Sequence, residues 1–226
     1  MISDAANEIA RRHLDASIRE IEQDAKEGRL NTSCIRALAN ASAVLGQNDM
    51  AERALRLLHS APDDAFWAGM ITNFDLPKIV PERLKTIKSP DEGKDHPPYC
   101  EMDIMDRVRS YAKTEEHIRL CLEGKVQEAR SKAKEVKLEE VGETLAVLGD
   151  FDGALSVARD PLLEPFRQRG VLLVLVIEFF RRGRVEACEE MLTELEVSGL
   201  GAWDRIFLAL GFAGRVPWGG YPYPDW

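Results

Sequence analysis

Two histidine–cysteine pairs are the first residues in the sequence whose types and spacing suggest chemistry. His96 and Cys100 are four positions apart, and so are His117 and Cys121. Imidazole and thiolate are both zinc ligands. A spacing of four also puts His117 and Cys121 on one face of a helix. The sequence around them separates the two pairs. Residues 102–112 and 115–122 both read as helices, with Thr114 as a candidate cap between them. An antiparallel arrangement of the two leaves Cys100 and His117 at opposite ends, roughly 15 Å apart at the helical rise per residue. They therefore read as two separate pairs, and the sequence assigns no metal ligand and no cofactor.

Other reactive groups have structural readings. Cys188 stands where a small residue recurs elsewhere in the chain, so a packed thiol is expected rather than a nucleophile. Adjacent acids such as Glu139-Glu140 and Glu189-Glu190 point about 100° apart on a helix and do not share a site. No GxSxG, HExxH, P-loop or complete GxGxxG occurs, and His13, His59, His96 and His117 have no nucleophile partner in the sequence. No catalytic residue is assigned. One stripe has binding character. On a helix over 164–182, Arg167, Val171, Val174, Glu178 and Arg181 share a face. Arg167, Glu178 and Arg181 are the candidate binding residues. The competing reading is local ion pairing of Glu178 with Arg181 or Arg182.

Composition narrows the partner. The 226 residues carry 39 acids against 30 Lys and Arg, a net charge of −9. That balance argues against the basic footprint of a nucleic-acid binder and against adhesion to an anionic membrane. The longest apolar run, 171–177, is shorter than the roughly 20 residues of a membrane span and reads as a buried helix. Residues 1–12 are polar and mixed in charge, without the apolar stretch of a signal peptide. Four cysteines without CxxC spacing fit a reducing compartment, and a cytoplasmic location is expected.

The elements that must position these residues are helices. Ala6, Ala10, Leu14, Ile18, Ile21 and Ala25 recur at steps of three and four, and Gly28 ends the run. A local pattern then repeats. A glycine follows an apolar helix, with an apolar or amide residue two places on, a small residue five on and an apolar one nine on. Gly46 leads to Asn48, Ala51 and Leu55, and Gly124 to Val126, Ala129 and Ala133. Gly149 leads to Phe151, Ala154 and Ala158, and Gly183 to Val185, Cys188 and Leu192. Gly28, Leu30, Ser33 and Ala37 are a weaker copy. Glycine allows the sharp turn between antiparallel helices, and the small residue lets the two approach closely.

In this pattern, and in Arg182-Gly183-Arg184-Val185-Glu186-Ala187 continuing to Met191 and Gly199-Leu200, the chain resembles the tetratricopeptide and pentatricopeptide superfamily over roughly 103–216, and more loosely over 31–58. The resemblance implies an all-α, right-handed solenoid of antiparallel helix pairs. In such folds the first helix of each pair lines a concave groove, which the Arg167–Arg181 stripe would then face.

Six prolines between positions 62 and 98 interrupt the helical pattern near the middle. Short helices are expected over 63–71 and 82–87, then a polar loop. The expected organisation is an N-terminal helical region over 1–88, a linker over 89–100, helix pairs over 101–216 and an aromatic, proline-rich tail over 217–226. The tail reads as a cap over the apolar helix 203–212, or as a linear motif for another protein. The expected function is a non-catalytic interaction module for a protein or peptide. An RNA binder of pentatricopeptide type and an enzyme with an unrecognised site are the alternatives.

Overall fold

The computed structural model describes residues 4–29, 31–59 and 104–214. The expected helices 63–71 and 82–87, the linker, His96, Cys100 and the tail lie outside them. Among the described residues every regular element is an α-helix. In chain order these are α1 (Asp4–Lys26), α2 (Thr32–Val44), α3 (Asn48–His59), α4 (Ile104–Tyr111), α5 (Glu116–Leu122), α6 (Val126–Leu148), α7 (Phe151–Ala158), α8 (Pro165–Arg181), α9 (Val185–Val197) and α10 (Ala202–Phe212). None is long and apolar enough to cross a membrane.

The repeated glycine is the turn-former. Gly28, Gly46, Gly124, Gly149 and Gly183 all have φ between 69° and 89°, a left-handed conformation that costs other residues energy. Each turn closes in the same way. The residue after the glycine donates its N–H to the carbonyl five positions back: Arg29 to Asp24, Gln47 to Ser42, Lys125 to Leu120, Asp150 to Leu145 and Arg184 to Phe179, at 2.7–2.9 Å. This is the Schellman closure, which satisfies carbonyls that a helix end leaves free. The small residue five places on is buried in every strong copy, with Ala51, Ala129 and Ala154 at 0% exposure and Cys188 at 5%.

The helices form two compact units. In the first, α1 packs against α10, and α2 packs against α3. The apolar face of α1 is buried as its spacing requires, with Leu14 and Ile18 fully enclosed. Full burial of such a side chain is worth roughly 1.5–3 kcal/mol. The core joins these residues to Ile35, Leu38, Ala54, Ile206 and Ala209. Helix α10, read from sequence as the end of the 101–216 region, thus belongs with the N-terminal helices. Its amide end is held by α1: Glu20 Oε1 accepts the Ala202 N–H at 3.1 Å, and Ser17 Oγ lies 3.1 Å from the Ala202 carbonyl. Gly201 N–H donates to Asp204 at 2.9 Å.

The second unit contains α4 to α9. The 23-residue α6 packs against α4, α5, α7 and α8, and α8 packs in turn against α7 and α9. The apolar run in α8 is enclosed, with Val171, Leu173, Leu175 and Val176 at 0% exposure. At Gly142 the contact between helices is closest, since a Cβ there would stand 2.9 Å from Val157 and Val171 methyls.

Candidate functional site

The polar chemistry of the second unit lies on α6, on both sides of that helix. Towards α5, His117 is buried, and its imidazole Nε2 lies 2.7 Å from Glu140 Oε2. An ionised carboxylate only accepts, so Nε2–H is the donor. The other ring nitrogen, Nδ1, is 3.7 Å from Glu115 Oε2. Glu115 precedes the first turn of α5 in an extended conformation, which brings it to the same side as His117. Lys137, three residues before Glu140 on α6, forms a close ion pair with Glu115. The ion pair holds the Glu115 carboxyl below the usual range and the Lys137 ammonium above it. The Glu115, His117 and Glu140 ligand atoms all lie within 4.8 Å of one another.

Towards α8, Glu139 is 7% exposed. Arg167 on α8 donates to its Oε2 at 3.0 Å, whereas Oε1 is buried without a hydrogen-bond partner. Burial pushes the Glu139 carboxyl up to about 7, against the pull of Arg167. At the other end of α8, Glu178 is 4% exposed and paired with Arg181 at 2.8 Å and Arg182 at 3.5 Å. Its carboxyl is also raised by burial, with both guanidinium groups opposing. Arg182 further donates to the Val147 carbonyl at 2.7 Å, fixing the end of α6 to the end of α8. Arg184 lies over the rings of Phe151 and Phe179, which are themselves 4.6 Å apart.

The three binding candidates from sequence are therefore held in ion pairs within the unit. Val171, Val174 and Glu178, the middle of the stripe, are buried, and Arg167 and Arg181 at its ends reach solvent. The pairing of Glu178 with Arg181 and Arg182 is the competing reading made from sequence. His117 and Cys121 share a buried face. Burial drives the Cys121 thiol up to about 12 and the Cys188 thiol to about 11, which fits packed, unreactive cysteines. Thr114 does not cap α5, because its hydroxyl donates back to the Tyr111 carbonyl.

The Glu115–His117–Glu140 group was missed from sequence. The 100° argument did separate Glu139 from Glu140 correctly, since one meets α8 and the other α5. The remaining signal lay in pairing across the Gly124 turn, where Lys137 and Glu140 stand three apart opposite Glu115 and His117. Leu162, in the turn before α8, and Phe166, in its first turn, are exposed, 62% and 48%. The Arg167 guanidinium lies over the Phe166 ring at 5.0 Å. In the first unit His13 is buried and stacks on Phe212 at 5.6 Å. Burial and the nearby Arg205 lower its imidazole to about 4.

No family model, no curated protein and no solved structure matches the chain.

Proposed function

We propose that the chain is a non-catalytic interaction module of tetratricopeptide-like helix pairs that binds a protein or peptide. The observation that carries the reading is the exposure of Leu162, in the turn before α8, and of Phe166 in its first turn, with Arg167 over the Phe166 ring. Two large apolar side chains there are open to solvent beside a guanidinium stacked on an aromatic ring. Aromatic residues and arginine are enriched where partners bind tightly, and exposed apolar groups gain most from being covered. The helix-pair part of the proposal rests on the recurring glycine turns, and on α6 and α8 packing side by side while each meets a short companion, α7 or α9. A net charge of −9 suits a basic partner.

Affinity capture of the tagged chain from its native cell, after ribonuclease treatment, tests the proposal. A basic polypeptide should co-purify with the wild type and be lost with Leu162→Ser and Phe166→Ala. Capture of RNA in untreated lysate, with no stable protein partner, would favour the pentatricopeptide-like alternative. A turnover in an activity screen without any partner would favour an enzyme.

A further inference from the structure

We propose that His117 and Glu115 hold a divalent transition metal of the zinc class, with Glu140 orienting the histidine from the outer shell and Lys137 as the competing cation. The argument begins with the imidazole. Nε2 is engaged by Glu140 at 2.7 Å, so Nδ1 is the ring nitrogen left for a ligand. It faces a carboxylate oxygen, Glu115 Oε2, at 3.7 Å. Atoms at this separation are too far apart to be hydrogen-bonded to each other. They suit a shared cation, because Zn–N and Zn–O bonds of about 2.0–2.2 Å place neighbouring ligand atoms between 3 and 4 Å apart.

The ring orientation fits the same role. A ligating histidine commonly donates its other N–H to a carboxylate, which fixes the tautomer and raises the basicity of the ligand. Glu140 does this for His117. The cluster is also positioned before any metal arrives. His117 is buried on α5 against α6, Glu115 stands at the entrance to α5, and Glu140 projects from α6. Glu115 and Glu140 are both partly exposed, so water can complete the coordination shell. The ammonium of Lys137 already rests on Glu115. A divalent ion therefore displaces a lysine side chain without rearranging the helices. One nitrogen and one or two oxygens, without sulfur, favour zinc and its neighbours over calcium, which takes oxygen ligands.

Zinc titration of the full chain against a chromophoric chelator, with zinc-edge X-ray absorption, tests the site. Three variants leave the buried histidine in place. Glu115→Gln should weaken zinc binding more than tenfold, and Glu140→Gln about tenfold or more, the usual range for loss of an outer carboxylate. Lys137→Met should tighten it, because a competing cation is removed. Absorption should show nitrogen and oxygen ligands only. Zinc affinity unchanged by both glutamine substitutions would overturn the proposal, as would sulfur in the coordination shell or no saturable binding by wild type and Lys137→Met alike.

Discussion

At the scale of single residues, two buried titratable groups give opposite pH dependences in the two units. Glu139 has its carboxyl raised from 4.5 to about 7 by burial. The folded state therefore holds a proton that the unfolded chain has released. Its contribution to stability is fully present below pH 4.5 and is lost as pH rises through 7. At about 1.4 kcal/mol per tenfold change in ionisation, the loss is up to about 3 kcal/mol. Glu139→Gln removes this titration. The urea midpoint of the variant relative to wild type should therefore rise between pH 5 and pH 8, and a constant difference would refute the assignment. His13 behaves in the reverse sense. Its imidazole is lowered from 6.5 to about 4, so its contribution is present above pH 6.5 and lost as pH falls towards 4. His13→Asn should flatten that acid limb in the same measurement. Neither dependence was legible in the sequence, where Glu139 is one half of an acidic pair and His13 a lone histidine. Both arise from the burial that folding imposes on the group, opposed by Arg167 at Glu139 and reinforced by Arg205 at His13.

Among the helices, two close contacts decide how they pack. Ala154 has no exposed surface and holds the small position of its repeat copy. Ala154→Leu should cost roughly 1–3 kcal/mol by overpacking, read as a lower urea midpoint. Gly142 is the sharper case. It lies inside α6, where alanine normally gains about 1 kcal/mol of helix propensity. The added methyl would meet the side chains of Val157 and Val171 at 2.9 Å. These β-branched groups are fully buried and stiff, so they have little room to yield. Gly142→Ala should therefore lower the melting temperature despite the better propensity, and an increase would show that α7 and α8 yield easily. The elements were largely legible because their signals are local. Apolar spacing fixed the buried face of α1, and each glycine of the repeat took the left-handed turn its position suggested. Gly142 was not legible, because a helical glycine shows its purpose only through the neighbours that crowd it.

For the molecule as a whole, the membership of α10 is the feature least visible in the sequence. Chain order places it after the helix pairs of residues 101–216. In the structure α1 packs against it, through Ser17, Glu20 and the apolar core shared with Ile206 and Ala209. Such a pairing, 182 residues apart between Glu20 and Ala202, leaves no mark on local periodicity. The charge balance and the absence of a membrane-length apolar run could be read directly from composition, whereas the exposed Leu162–Phe166–Arg167 corner needed the fold. That corner carries the proposed function. Hydrogen exchange of the captured complex against the free chain tests it most directly. Protection gained on binding should concentrate in residues 160–170 and weaken with Phe166→Ala. Protection confined to other segments, with exchange at 160–170 unchanged, would contradict the account.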